Sequence, residues 1–354
     1  MHITEKSVKT NRLTLSYLEA GNQENPTLFF IHGNVSSNLF WDEILEAFSY
    51  GYHVIAPDLR GYGKTEKLEV DATRGLRDWS DDLRAFKDTL GILDKIHLVG
   101  WSLGGSVIMQ YAIDYPEDVA SLIMESPMSP FGFGGTKDEI GTPCYANYAG
   151  SGGGTANSDF VKRLQEQDMT EEDPNSPKMV MNQFYFKAPF RVDIAREAKF
   201  VQGMLSIGTG DGLYPGAMQT CEEWPGVAPG EIGINNAISP KFVNLMEFAN
   251  INEKIPVLWI RGEDDLIVSD HSFLDFGFLG KSGYVPGWPG EDVVPPQPMV
   301  SQMRYVLETY KRNGGQYDEV VMKDTGHTPH IEQAQLFEEK VVSFLKRISK
   351  PVSR

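Results

Sequence analysis

Short runs of apolar residues recur in the first third of the chain, and glycine or proline bounds each of them. The runs are "TLFFIHG" (27–33), "YHVIAPDLRGYG" (52–63) and "KIHLVGWS" (95–102). A continuous apolar run of this kind is typical of a strand that is buried on both faces of a parallel sheet. The pattern therefore predicts parallel strands at these positions.

Helical periodicity occurs between and after these runs. One apolar stripe consists of Trp79, Leu83, Phe86 and Leu90, and a second consists of Val107, Ile108, Tyr111, Ala112 and Tyr115. Each stripe gives a helix one face that can pack against a sheet. The run "ASLIMES" (120–126) then predicts a further strand. This alternation of strands and helices indicates an α/β protein.

The alternation stops near Pro127 and resumes near residue 251. Between these points the chain is rich in Gly, Pro, Met and aromatic residues, as in "MVMNQFYFKAPF" (179–190). After residue 251, the alternation continues with the predicted strands "IPVLWIRGEDD" (255–265) and "DEVVMKDTGH" (318–327) and with a final amphipathic helix (335–348). We therefore expect a core formed by residues 1–127 and 251–354, with an inserted cap over residues 128–250. The Pro/Gly-rich stretch 277–298 is predicted as a surface loop.

Composition narrows the range of functions. The 354 residues have a formal net charge of −17, which disfavours binding to nucleic acid or to anionic membranes. Cys144 and Cys221 are the only cysteines, so neither a zinc site nor a set of disulfides is indicated. No signal sequence or long apolar span is evident, and we expect a cytoplasmic protein without membrane insertion.

The segment "GWSLG" (100–104) fits the pattern G-x-S-x-G between a predicted strand and a predicted helix. This context is typical of a nucleophile elbow, in which a strained turn exposes a serine hydroxyl at the end of a sheet. The alternative is an ordinary strand-to-helix turn. We favour Ser102 as a nucleophile.

A serine nucleophile needs a base, and an imidazole oriented by a carboxylate is the usual one. His327 is the best candidate, because it follows a predicted strand and precedes the last helix. His330 is expected to be structural or at the rim of the site. His53 and His97 fall within predicted strands, while His2 and His271 have no supporting context.

The acid that orients His327 has three candidates. Asp265 follows a predicted strand, and the chain order Ser102, Asp265, His327 is the one expected for such a triad. We favour Asp265 over its neighbour Asp264. Glu125 ends the strand after the elbow helix and could reach the same histidine, although a role in the pocket or in capping is the preferred interpretation.

The oxyanion of a tetrahedral intermediate needs two donors. The backbone N–H of Leu103 follows the nucleophile, and "HGN" (32–34) places a second N–H, that of Asn34, at the end of an early strand. The Asn34 side chain is a further possible donor. His32 is expected to be a structural hydrogen-bonding residue.

Taken together, these motifs resemble the α/β-hydrolase superfamily. The matching stretches are "FIHGN", "VIAPDLRGYGKT", "LVGWSLGG", "RGEDDLIV" and "GHTPHIE", in family order. The resemblance implies a mostly parallel eight-stranded sheet with flanking helices and an inserted cap. It also implies a triad of Ser102, Asp265 and His327, with Asn34 and Leu103 forming the oxyanion hole.

The triplet "HGN" and the strand "LIMES" are similar to haloalkane dehalogenases, which use an aspartate nucleophile. Position 102 is serine, so dehalogenation is disfavoured, and epoxide hydrolysis is disfavoured for the same reason. We expect a serine hydrolase that cleaves a carboxylic ester or lactone of a small molecule. Alternatives are amide or peptide hydrolysis of the proline-iminopeptidase type, C–C or thioester hydrolysis with the same triad, and a ligand receptor built on this scaffold.

No cofactor or metal is expected, because metal-binding and nucleotide-binding motifs are missing. The cap stretch "MVMNQFYF" and Trp224 are candidates for an apolar substrate pocket, with core packing as an equal alternative. The oligomeric state stays open, and residues 277–298 are a candidate dimer contact or lid margin.

Overall fold

One large sheet organises the computed structural model, which describes residues 2–349. Its strands are β1 (Thr4–Lys9), β2 (Thr14–Ala20), β3 (Thr27–Ile31), β4 (His53–Pro57), β5 (Ile96–Trp101), β6 (Val119–Glu125), β11 (Val257–Gly262) and β12 (Tyr317–Met322), in the order β1-β2-β4-β3-β5-β6-β11-β12. β2 runs antiparallel to β1 and to β4, and all other neighbours are parallel. The predicted fold class, a mostly parallel eight-stranded α/β sheet, is confirmed.

Helices cover the sheet and form most of the regular structure of residues 126–256, which are inserted between β6 and β11. The α-helices are α1 (Asp42–Phe48), α2 (Arg77–Thr89), α3 (Leu103–Asp114), α4 (Ser158–Gln165), α5 (Pro177–Val180), α6 (Ile194–Leu205), α7 (Ile234–Ala237), α8 (Phe276–Lys281), α9 (Met299–Arg312), α10 (Pro329–Glu332) and α11 (Ala334–Ile348). A short π-helix, Met181–Tyr185, follows α5 directly. Among the described residues, no helix is both long enough and apolar enough to cross a membrane.

Burial explains why the central strands were visible in the sequence. Every residue of β3 and β4 is buried, and β5 and β6 are each buried except for one position. Strands covered by helices on both faces are selected for apolar residues throughout. β1 is mostly exposed at the sheet edge, so it carries no such run.

Residues 126–256 contribute no strand to the large sheet, although β6 and β11 are neighbours in it. This inserted segment holds α4 to α7 and two small sheets of two strands each. One sheet pairs β7 (Thr209–Gly210) with β8 (Tyr214–Pro215), and the other pairs β9 (Met218–Thr220) with β10 (Val227–Pro229). α6 is tied to the core through Asp42, whose carboxylate lies 2.9 Å from Arg196 and 3.1 Å from Lys199.

The stretch 277–298 is not simply a surface loop, as the sequence had suggested. It begins within α8, whose first turn is capped by the side chain of Asp275. The same buried carboxylate accepts the backbone N–H of Gln297 at 3.0 Å. Gln297 in turn donates to the carbonyl of Gly132 at 3.0 Å. A buried polar network therefore fastens this stretch to the segment that follows β6.

Candidate active site

Ser102 occupies a strained turn between β5 and α3. Its φ of 56° and ψ of −118° lie outside the regions that L-residues prefer. Glycines make the turn possible, because a Cβ at Gly104 would lie 2.2 Å from the carbonyl oxygen of Ile31, and one at Gly100 would lie 2.4 Å from that of Gly104. The G-x-S-x-G pattern is thus required sterically at both of its glycines.

The Ser102 backbone is held on both sides of the turn. Its N–H donates to the Glu125 carbonyl at 2.9 Å, and its own carbonyl accepts from Gly105 at 3.0 Å and Met128 at 3.2 Å. The side chain lines a cavity that His327 also lines. Among the described residues, no hydrogen bond involves the Ser102 hydroxyl, and such contacts often tighten only when substrate binds.

His327 and Asp265 form the hydrogen-bonded pair that the sequence suggested. His327 donates Nδ1–H to Asp265 Oδ2 at 2.8 Å, and both side chains are only 2% exposed. This bond selects the tautomer in which Nε2 is unprotonated and able to accept a proton.

Asp265 is itself held in place by its own loop. Its other oxygen accepts the backbone N–H groups of Ile267 at 2.7 Å and Val268 at 2.9 Å. The alternative acid Asp264 points elsewhere and pairs with Lys187 Nζ at 2.7 Å. The geometry therefore favours Asp265 over Asp264 as the partner of His327.

Two backbone N–H groups are available beside Ser102. Those of Leu103 and Asn34 donate in no hydrogen bond within the described residues, and both residues line the cavity. Gly33 lets the Asn34 loop approach closely, since a Cβ at Gly33 would lie 3.0 Å from Ser102 Cβ. Both residues suggested as oxyanion donors thus line the cavity beside Ser102.

The Asn34 side chain is already engaged in a network. Its oxygen accepts from Tyr62 at 2.8 Å and from the Val35 N–H at 2.9 Å, while Nδ2 donates to Asn235 at 3.1 Å. Burial raises the pKa of Tyr214, and a hydrogen bond with Asn235 opposes that shift. The Asn34 side chain therefore links the loop to the inserted segment, a role that the sequence did not suggest.

Glu125 contacts a different histidine from the one considered for it. Its Oε1 accepts from the backbone N–H of His330 at 2.7 Å and from the ring Nδ1 of His330 at 2.8 Å. His330 is fully buried, not at a rim, and its Nε2 lies 3.1 Å from the carbonyl oxygen of Phe40. The second Glu125 oxygen has no hydrogen-bond partner among the described residues.

Glu332 was missed by the sequence interpretation. Its carboxylate accepts the backbone N–H groups on both sides of His327, from Gly326 at 3.0 Å and from Thr328 at 3.3 Å. It also accepts the N–H of Lys187 at 2.7 Å. The only available signal was an acidic residue five positions after His327 and just before α11.

Tyr185 fastens the inserted segment to the same histidine loop. Its carbonyl accepts from the His327 N–H at 3.0 Å and from the Thr328 hydroxyl at 3.1 Å. Its hydroxyl donates to the Val35 carbonyl at 3.0 Å. The π-helix that ends at Tyr185 therefore contacts both the histidine loop and the Asn34 loop.

The cavity at Ser102 has a volume of about 620 Å³. The stretch "MVMNQFYF" contributes to its wall and to the core alike, because Val180, Gln183, Phe184 and Tyr185 line the cavity whereas Met181 and Phe186 are buried. Trp224 is not part of the lining. Its Nε1 donates to the Pro286 carbonyl at 2.9 Å, so the suggested pocket role for Trp224 was wrong.

Comparison with known proteins agrees with this fold. A family model for the α/β hydrolase fold matches residues 26–164. The structure of an esterase from Rhodococcus sp. ECU1013 superposes with a TM-score of 0.59 over 99% of this chain and 100% of that one, at 20% identity. The chain thus has the α/β-hydrolase fold.

Curated relatives match about a third of the chain. A 2-hydroxy-6-oxo-6-phenylhexa-2,4-dienoate hydrolase from Burkholderia cepacia is 33% identical over 129 residues, which are 35% of this chain and 43% of that protein. Epoxide hydrolase 1 of Caenorhabditis elegans is 32% identical over 116 residues, which are 33% of this chain and 28% of that protein. Each match spans less than half of the relative's length. The chain is therefore similar to hydrolases in its fold and, over about a third of its length, in its sequence.

Proposed function

We propose that the protein is a serine hydrolase that cleaves a carboxylic ester or lactone through an acyl-enzyme on Ser102. The observation that carries this proposal is the Asp265–His327 hydrogen bond at the wall of the cavity that Ser102 lines. The residues 128–250 act as the cap of this cavity.

In the proposed reaction, His327 Nε2 takes the proton of the Ser102 hydroxyl while the serine oxygen attacks the ester carbonyl. The N–H groups of Asn34 and Leu103 stabilise the negative oxygen of the tetrahedral intermediate. His327 then gives its proton to the leaving alcohol, and the acyl group stays on Ser102. Water, deprotonated by His327, attacks the acyl-enzyme, and the proton returns to Ser102 as the acid is released.

Two alternatives find less support in the cavity. An amidase that holds a substrate amine needs an acidic side chain in the wall, yet Glu171, Glu172 and Asp173 are absent from the lining residues. Epoxide hydrolysis of the relative's type would need a carboxylate nucleophile where Ser102 stands. An ester or lactone needs only the serine, the base and the two donors.

Ser102→Ala tests the proposal. We expect the variant to lose at least about a thousandfold in kcat on p-nitrophenyl butyrate. A fluorophosphonate probe should label Ser102 in the wild-type protein, as located by peptide mass spectrometry. Ser126→Ala is the matched control, because the buried Ser126 hydroxyl makes no hydrogen bond within residues 2–349.

The proposal fails if Ser102→Ala keeps its ester activity, or if the probe labels another residue. Cleavage of an amino-acid anilide by the wild-type protein without cleavage of any ester would replace ester hydrolysis by amide hydrolysis.

A further inference from the structure

The wall of the cavity carries no Asp, Glu, Lys or Arg side chain among the described residues. Such residues make up 23% of the whole chain, and 29 residues line the cavity, so a wall of average composition would hold several. Its titratable side chains are His327 and two tyrosines, Tyr185 and Tyr214. Burial raises the pKa of both tyrosines, which keeps them uncharged.

Charged groups of a bound molecule would therefore find no counterion in this cavity. Transfer of a carboxylate or ammonium group from water into such a site is strongly unfavourable unless the group is paired. One side of the wall is apolar and comes from the chain after Asp265, with Ile267, Val268, Phe273, Phe276 and Leu279. This side matches a hydrocarbon group.

Carboxamide side chains from the inserted segment give the wall hydrogen-bonding capacity. Gln183 makes no side-chain hydrogen bond within the described residues, and the Nδ2 of Asn175 donates in none, although its Oδ1 accepts from Asn157 at 3.1 Å. Both residues line the cavity from the inserted segment. An amide can donate and accept, so it pairs with a neutral carbonyl, hydroxyl or amide group without a counter-charge.

We infer that the substrate is an ester without formal charge, with a hydrocarbon group on the side of residues 267–279 and a neutral polar group near Gln183 and Asn175. The inference rests on the proposed ester hydrolysis and adds the substrate class to it. It separates this chain from the Burkholderia cepacia relative, whose named substrate is a dienoate and thus a carboxylate.

Isosteric esters test the inference at both ends of the substrate. Butyrates of benzyl alcohol carry isopropyl, carbamoyl, carboxylate or amidinium at the para position, and methyl phenylacetates carry the same four groups on the acyl side. Acid release is measured in a pH-stat. We consider whichever of the two series is hydrolysed faster. In that series, we expect the kcat/KM values of the two neutral esters to agree within about tenfold. The kcat/KM values of both charged esters should be roughly a hundredfold lower.

The direction of the rate change for each charged ester distinguishes an effect of the cavity wall from an effect of the overall charge of the protein. A net charge of −17 would slow the carboxylate and favour the amidinium. The inference is overturned if only the carboxylate is slow, or if either charged ester is hydrolysed within about threefold of its neutral isostere. Failure of the proposed function looks different, because no ester in either series would then be hydrolysed and no probe would label Ser102.

Gln183→Arg provides a gain-of-function test at the exposed mouth of the cavity. We expect it to raise the ratio of carboxylate to isopropyl kcat/KM about tenfold, since the carboxylate then has a partner. Gln335→Arg on the exposed face of α11 is the control with the same change in net charge. An equal rise in Gln335→Arg would attribute the effect to overall charge and overturn the inference.

Discussion

Asp265 and Glu125 are both buried carboxylates at the carboxyl ends of neighbouring strands, but their hydrogen bonds assign them different roles. Asp265 accepts from the ring of His327, whereas Glu125 accepts from the backbone and ring of His330. A carboxylate can orient a catalytic imidazole only by direct contact with its N–H group. We therefore regard Asp265 as the candidate acid and Glu125 as a residue that anchors the chain after His327.

Asp265→Asn and Glu125→Gln form a matched pair of amide substitutions. We expect Asp265→Asn to lower kcat by about 10⁴-fold, because an amide can leave His327 in the wrong tautomer. Glu125→Gln should lower kcat by less than about tenfold, since it changes only the anchor. Ester hydrolysis at saturating substrate measures both.

Thermal unfolding serves as the control for this pair, because either variant could lose stability. Our assignment of the acid is wrong if Glu125→Gln folds normally and loses as much activity as Asp265→Asn.

Residue identities at the elbow could be predicted because strain leaves a local signature. Gly100 and Gly104 are required by contacts within a few residues or with the adjacent strand, and the serine between them is then recognisable. The role of the Asn34 side chain could not be predicted. Its partner Asn235 is 201 residues away, and no periodic pattern in the chain connects the two.

At the scale of elements, the short segment after α5 joins the inserted segment to the histidine loop. Tyr185 accepts the N–H of His327, and Lys187 donates its N–H to Glu332, which also binds the Gly326 N–H. Burial raises the pKa of Glu332, while these backbone hydrogen bonds oppose the shift. The carboxylate therefore acts as a connector between two parts of the chain.

Glu332→Gln should weaken the hydrogen bonds between the Glu332 side chain and the backbone while keeping a side chain of the same size. An amide offers one acceptor oxygen where the carboxylate offers two, so at least one backbone N–H group loses its partner at a cost of about 1–3 kcal/mol. We expect kcat for ester hydrolysis to fall about tenfold with KM nearly unchanged, because His327 is displaced while the cavity wall is retained.

Glu339→Gln on the exposed surface of α11 is the control and should behave like the wild-type protein. A change confined to KM in Glu332→Gln would mean that the carboxylate shapes the binding cavity instead of the histidine loop.

The elements of the core were more predictable than those of the inserted segment for a physical reason. Strands such as β3 and β5 are covered on both faces, and that burial leaves continuous apolar runs. The inserted segment is held by hydrogen bonds to distant parts of the chain, as at Tyr185 and Gln297, and these impose no repeat on its sequence. α8 was missed for the same reason, because the cap that starts it, Asp275, is recognisable only once its partners are known.

For the whole molecule, buried and partly buried titratable groups connect stability to pH with opposite signs. Burial lowers the pKa of His32 and of His97 from 6.5 to about 4. Their contribution to stability is present above pH 6.5 and is lost as the pH falls towards 4. Burial raises the pKa of Asp275 from 3.8 to about 6, so its contribution is present below pH 3.8 and is lost as the pH rises through 6.

His97→Asn should reduce the loss of stability in acid. His97 lies on β5 and bonds to Ser121 at 2.8 Å, away from the cavity wall. Between pH 7 and pH 5 the wild-type histidine should account for about 2 kcal/mol of the fall in the free energy of unfolding, and the variant should lack that part. Urea unfolding at the two pH values measures the difference.

His271→Asn is the exposed control and should leave the pH dependence unchanged. If His97→Asn and the wild-type protein lose the same free energy between the two pH values, His97 does not titrate as its burial indicates.

The short stretch 183–187 has a mechanical consequence. Gln183 stands at the mouth of the cavity, and two residues later the chain holds the backbone of the imidazole-bearing loop. A substrate too wide for the opening would displace residues 183–187, which hold the backbone of His327. Such a substrate should therefore bind but be hydrolysed slowly. Its width should lower the rate of the chemical step more than the affinity.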